Sequence, residues 1–98
     1  MANFSEIINS SKPVLVDFYA DWCGPCKMVS PVLKQLSGEI GDKAKIIKVD
    51  VDKNPQAAMK YGIQGVPTLI IFKKGQPVWR QSGVVPIHML KQALESNS

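Results

Sequence analysis

Asp17-Phe18-Tyr19-Ala20-Asp21-Trp22-Cys23-Gly24-Pro25-Cys26-Lys27 is the stretch where an apolar run ends, a two-cysteine turn follows and a helical pattern begins. Ahead of it, Val14, Leu15, Val16 and Phe18 form an apolar run of strand length. That is the pattern of a strand covered on both faces in a parallel sheet. Behind it, Val29, Val32, Leu33, Leu36 and Ile40 recur at helical spacing. Cys23 therefore falls where a strand hands over to a helix.

This position has chemical consequences. The first backbone N–H groups of a helix lack intrahelical partners and carry the positive end of the macrodipole, so they favour an anion. A thiol attacks as its thiolate. At an ordinary cysteine pKa of about 8.5 only a few per cent is ionised at neutral pH, whereas a helix-terminal Cys-x-x-Cys pair near about 7 is half ionised. Cys23, nearest the turn, is expected to be the exposed nucleophile. Cys26, one helical turn further in, is expected to be the resolving thiol that attacks the mixed disulfide and leaves a Cys23–Cys26 bond. Gly24 and Pro25 shape the turn, and proline in a first turn forfeits no hydrogen bond.

Two other readings compete. A purely structural disulfide closing so small a loop constrains the unfolded chain by only about 2 kcal/mol on the loop-entropy estimate. A metal site would have to draw on two cysteines and one histidine. His88 lies far from the pair, while zinc normally takes four ligands. No metal is expected, and His88 reads as a solvated helix residue.

The 98 residues suffice for one core and a single domain over residues 1–98. A content of 45% hydrophobic and 20% charged residues is that of an ordinary globular protein. No apolar run is long enough to span a bilayer, and Met1-Ala2-Asn3-Phe4-Ser5-Glu6 lacks the charged and apolar regions of a leader. The expected compartment is the cytoplasm, where a paired Cys-x-x-Cys is more often redox-active than structural. The formal charge of +4 comes from dispersed lysines, only Lys73 and Lys74 being adjacent. A nucleic-acid face would need a concentrated basic stripe with stacking aromatics, and neither nucleic acid nor membrane is expected as a partner. The charge is suited to tuning encounters with acidic surfaces.

In chain order, Asn3-Phe4-Ser5-Glu6 has the form of a capping box and opens a short helix to about Asn9, which Ser10-Ser11-Lys12-Pro13 ends. Pro31 should kink the helix after the cysteines. Lys45 to Val51 reads as a strand, Asn54-Pro55 as a capped helix start and Gly62 as its stop. Strand, helix and strand make a βαβ unit with parallel pairing. Thr68 to Phe72 and Val78 to Ser82 form a hairpin, and a last helix from about Pro86 presents Ile87, Leu90 and Leu94 on one face. Trp79 reads as hairpin or core packing.

Trp22-Cys23-Gly24-Pro25-Cys26-Lys27, preceded by Val16-Asp17-Phe18 and followed by Gly65-Val66-Pro67-Thr68, resembles the thioredoxin family over nearly the whole chain. The resemblance implies an α/β thioredoxin fold, a mixed central sheet flanked by helices on both faces. Thioredoxins usually carry an extra strand before the first helix. No residues remain for one here, so about four strands and one less protected edge are expected.

Asp17 lies within an apolar strand, where an unpaired carboxylate is costly and its pKa should rise. A strand-end aspartate pointing to water is the alternative. The resemblance implies that Asp17 is buried beneath the cysteines and moves the proton of Cys26 through a water, with Lys48 as a modulator of Asp17 or a plain surface lysine. It further implies a cis Val66–Pro67 bond facing the cysteines, and a substrate-binding patch of Trp22, Gly24, Pro25, Val66, Pro67, Gly83 and Val84. Tyr19 replaces the tryptophan most common at its position, a change expected to affect packing more than chemistry. The implied activity is general protein-disulfide reduction by a monomer with no bound cofactor. Electrons would come from NADPH through a thioredoxin reductase and go to clients such as ribonucleotide reductase, peroxiredoxins or methionine sulfoxide reductase. The alternatives are a binding module or subunit on the same fold, and a periplasmic thiol oxidant or isomerase; Gly24-Pro25 between the cysteines resembles the reducing members.

Overall fold

A computed structural model describes residues 3–98. Met1 and Ala2, part of the stretch read for a leader, lie outside the described residues. The elements are α1 (Phe4–Ile8), β1 (Val14–Tyr19), α2 (Gly24–Ile40), β2 (Lys45–Asp50), α3 (Pro55–Lys60), β3 (Thr68–Lys73), β4 (Gln76–Ser82) and α4 (Ile87–Ser96), with a 3-10 turn over Gly41–Lys43.

Side chains alternate across a strand, so an apolar run can feed two cores. In β1, Val14, Val16 and Phe18 enter a core with Ile8, Val49, Ile70 and Phe72. Leu15 points the other way, into a core with Val29, Leu33 and Leu36 of α2 and Leu90, Ala93 and Leu94 of α4. The sheet order is β2-β1-β3-β4. β1 and β2 run parallel across the α2 crossover, while β3 is antiparallel to both β1 and β4. The expected four-stranded mixed sheet is thus present among the described residues, with β2 and β4 at its edges.

Local chemistry explains the boundaries. The Asn3 side chain caps α1 by accepting the Glu6 backbone N–H at 2.9 Å. α2 runs uninterrupted through Pro31 and stops at Gly41, where φ is +58°. Asn54 departs from its expected capping role. It precedes Pro55, but its side-chain amide donates to the Asp50 carbonyl at 3.0 Å and accepts nothing from α3. The β3–β4 hairpin turns through Lys74 and Gly75, both at positive φ (+53° and +81°), as in a type I′ turn. Their amides donate to Ser10 and Ile8 carbonyls and so dock the turn on the end of α1 and the loop that follows it. Trp79 packs, partly buried, on the α2–α4 core, and His88 is exposed.

The two ends of the sheet differ. β1 leads at its C-terminal end into the cysteine turn, and β3 starts beside that turn. At the opposite end, Pro13, Ile40, Ala44, Leu94 and Ser98 line a cavity next to the Lys91–Glu39 ion pair.

Candidate active site

After β1 the chain turns at Ala20, whose carbonyl accepts the Cys23 N–H at 3.1 Å. Cys23 is the N-cap of α2, with extended backbone, and its Sγ accepts the Cys26 backbone N–H at 3.1 Å. Sulfur here does the work of a capping oxygen, in the one place where the unpaired amides of the helix favour negative charge. Pro25 lies in the first turn, as expected. The two cysteines are joined as a disulfide, with Cα atoms 5.4 Å apart.

The expected exposure of Cys23 is not what the oxidised form displays. Cys23 is 3% and Cys26 4% exposed, and the pair packs with Ala20, Tyr19, Val51 and Val66. Bonded to each other and covered by these neighbours, the sulfurs are not told apart by accessibility. What distinguishes them is place: Cys23 caps the helix, and Cys26 sits inside its first turn.

Asp17 shares the α2 side of β1 with Leu15 and Tyr19. It is fully buried, and neither carboxylate oxygen has a hydrogen-bond partner in the structure. Burial disfavours its charged form and pushes its pKa up to about 6, against the opposing pull of Lys48. The reading of Asp17 as a strand-end residue pointing to water is therefore excluded. Lys48 is the register partner of Asp17 on β2 and faces the same side, but its side chain is exposed. Its ammonium donates to Ser30 Oγ at 2.9 Å and lies 4.5 Å from the centre of the Tyr19 ring.

Around the disulfide, Trp22 is 72% exposed and its indole N–H donates to Asp52 at 2.8 Å. Trp22 and Val66 share a shallow groove with Val51, Ile63, Gln64 and Gly65. The Val66–Pro67 bond is cis, and the Pro67 carbonyl accepts the Gly83 N–H at 2.9 Å. Pro67 itself is buried, so of the expected patch it offers the least surface; Gly24, Pro25 and Val84 are exposed, and Val66 and Gly83 half-buried. Thr68 Oγ1 reaches the Gly65 carbonyl at 2.7 Å, and Arg80 donates to the Tyr61 and Gly62 carbonyls, bracing the loop that carries Val66. Sequence reasoning missed Asp52, Ser30 and Arg80, whose partners lie 30, 18 and 19 residues away along the chain. No local pattern marks such pairings. Among the described residues no group of three or more His, Cys, Asp or Glu side chains is placed to hold a metal ion. No described helix is long and apolar enough to cross a membrane.

A cysteine pair at the start of a helix that leaves a buried strand of a mixed sheet defines a thiol–disulfide exchange protein. The thioredoxin family model matches residues 1–96, and the chain belongs to that family. It is 50% identical over 92 residues to thioredoxin 1 of Nostoc sp., covering 94% of this chain and 86% of that one. It is 46% identical over 96 residues to chloroplastic thioredoxin Y of Oryza sativa subsp. japonica, covering 97% of this chain and 57% of the other. The solved thioredoxin of Malassezia sympodialis (Mala s 13) matches with a TM-score of 0.87 at 38% identity, over 97% of this chain and 84% of that one. The chain is accordingly a protein-disulfide oxidoreductase whose Cys23/Cys26 pair fits the active-site motif. Thioredoxins act with a thioredoxin reductase and with disulfide-containing client proteins.

Proposed function

We propose that residues 1–98 work as one unit that reduces protein disulfides in two exchanges, Cys23 opening the substrate bond and Cys26 completing the cycle. The Cys23 thiolate attacks one substrate sulfur. A Cys23–substrate bond forms as the substrate S–S bond breaks, and the departing thiolate takes up a proton. Cys26 then gives its proton to the Asp17 carboxylate through a water and attacks Cys23 Sγ. The Cys23–Cys26 bond forms as the Cys23–substrate bond breaks, the second substrate sulfur leaves as a thiolate that takes up a proton, and two electrons have passed from the cysteine pair to the substrate. A carboxyl with a pKa of about 6 suits this relay, because it can take and return a proton near neutral pH. Lys48 modulates that affinity by its charge.

The observation that carries this reading is Cys23 Sγ at the N-cap of α2, accepting the Cys26 N–H. An extended substrate segment docks on Trp22, Gly24, Pro25, Val66, Pro67, Gly83 and Val84, with backbone pairing at Val66 as in strand addition. Electrons come from NADPH through a thioredoxin reductase, and the clients include ribonucleotide reductase, peroxiredoxins and methionine sulfoxide reductase. The protein acts as a cytoplasmic monomer, without nucleic acid or membrane. The test is insulin-disulfide reduction. Cys23→Ser should abolish turnover and Cys26→Ser should accumulate a mixed disulfide; wild-type turnover by Cys23→Ser would sink the assignment.

A further inference from the structure

We propose that Ser30 and Tyr19 are positioning residues, a clamp that holds the Lys48 ammonium beside Asp17 and so sets how readily Asp17 accepts the proton of Cys26. A lysine on an edge strand normally extends its flexible stem into solvent, where water screens its charge. Lys48 is held back at two points. Ser30 Oγ accepts its N–H at 2.9 Å, and the Tyr19 ring lies 4.5 Å below the ammonium. The two contacts come from different elements and fix the charge from two directions, by a hydrogen bond and by the negative face of an aromatic ring.

The spacing makes the arrangement specific. Ser30 follows Cys26 by four residues and shares its face of α2, while Tyr19 follows Asp17 by two and shares its side of β1. One small cavity is lined by Tyr19, Ala20, Asp21, Cys26, Lys27, Ser30 and Lys48, so the clamp and the resolving cysteine border the same space. The titratable side chains there are Tyr19, Asp21, Cys26, Lys27 and Lys48, and from β3 the register partner of Asp17 is the apolar Leu69. Lys48 is the cation whose pull on Asp17 opposes the effect of burial. Coulomb attraction falls with distance and with exposure to water, so releasing the ammonium weakens that pull. Tyr19, expected to matter for packing more than for chemistry, acquires an electrostatic role.

The consequence for proton transfer rests on the proposed role of Asp17, and the test separates the two. In reduced, carbon-13-labelled protein the Asp17 carboxyl resonance, identified by its loss in Asp17→Asn, is titrated in wild type and variants. Ser30→Ala and Tyr19→Leu are each expected to raise the midpoint by about 0.5–1 pH unit, and Lys48→Met by at least as much. Tyr19→Phe, which keeps the ring, should titrate as wild type. Ser30→Ala added to Lys48→Met should change nothing further, because the clamp acts only through the lysine. The proposal is overturned if Ser30→Ala and Tyr19→Leu leave the midpoint in place while Lys48→Met moves it. It is equally overturned if Lys48→Met has no effect, or if the double variant shifts beyond Lys48→Met. Should Asp17→Asn retain the wild-type pH profile of insulin reduction, the proton-transfer consequence falls while the carboxyl shifts stand.

Discussion

Asp17 has both carboxylate oxygens buried without a protein hydrogen-bond partner, and the cost falls on its charged form. Its pKa rises from 3.8 to about 6. Between those values the folded chain binds more protons than the unfolded one, so stability falls as pH rises through the window. The contribution is full below the unfolded value and lost above the folded one. A shift of this size corresponds to about 3 kcal/mol. Asp17→Asn should therefore be more stable than wild type near pH 8 by up to about 3 kcal/mol, the difference shrinking to well under about 1 kcal/mol near pH 4. Denaturant midpoints of the oxidised proteins at the two pH values check this; equal midpoints near pH 8 would contradict the burial account. The sequence hinted at the outcome, since a carboxylate inside Val14–Phe18 is flanked by apolar residues, although a strand-end position pointing to water was the alternative. It held no sign of Ser30 as a partner of Lys48, a pairing made only when α2 packs beside β2.

At the scale of elements, the β3–β4 hairpin carries an evident imperfection. Lys74 sits at φ +53° in the turn, a conformation that side chains with a Cβ adopt at a cost and that asparagine tolerates best. Lys74→Asn should stabilise the protein by about 0.5–1 kcal/mol, read as a higher denaturation midpoint with unchanged insulin reduction. The hairpin was legible because apolar runs flank a short glycine-bearing connection. Its irregularity was not: the register jumps from Ile71 opposite Trp79 to Phe72 opposite Pro77, a bulge on an edge strand, the setting in which sheets tolerate proline. The same division holds for the helices. Helical spacing of Val29 to Ile40 announced α2 and the cysteine at its start, since both are properties of neighbours in sequence. Asn54-Pro55 announced α3, yet the Asn54 side chain turned back to the Asp50 carbonyl because the strand before it ends within reach. Patterns of near neighbours survive folding; the choice among polar partners is made by what tertiary structure brings alongside.

Over the whole molecule, one sheet separates two cores, and β1 and β3 serve both. The core beneath α1 and α3 is organised by aromatic rings: Phe4 contacts Phe18 and Phe72, and Tyr61 lies 4.9 Å from Phe72 in an edge-on arrangement. Phe18 is fully buried there. Phe18→Ala should cost about 3–5 kcal/mol, a large share of what a small domain has. Circular dichroism and intrinsic fluorescence should report the loss as one coincident transition, whereas separate transitions would mean that the two sides of the sheet melt independently. The molecule also has a polarity. Six residues of β1 place the cysteine turn about 20 Å from Pro13 and from the hollow that Pro13 shares with Leu94 and Ser98. Whatever is hung from Ser98, a support or a second protein, therefore hangs from the pole opposite the cysteines. Mounted on a surface by that residue, the protein would stand with its cysteine turn facing away from the support, on the side where clients arrive.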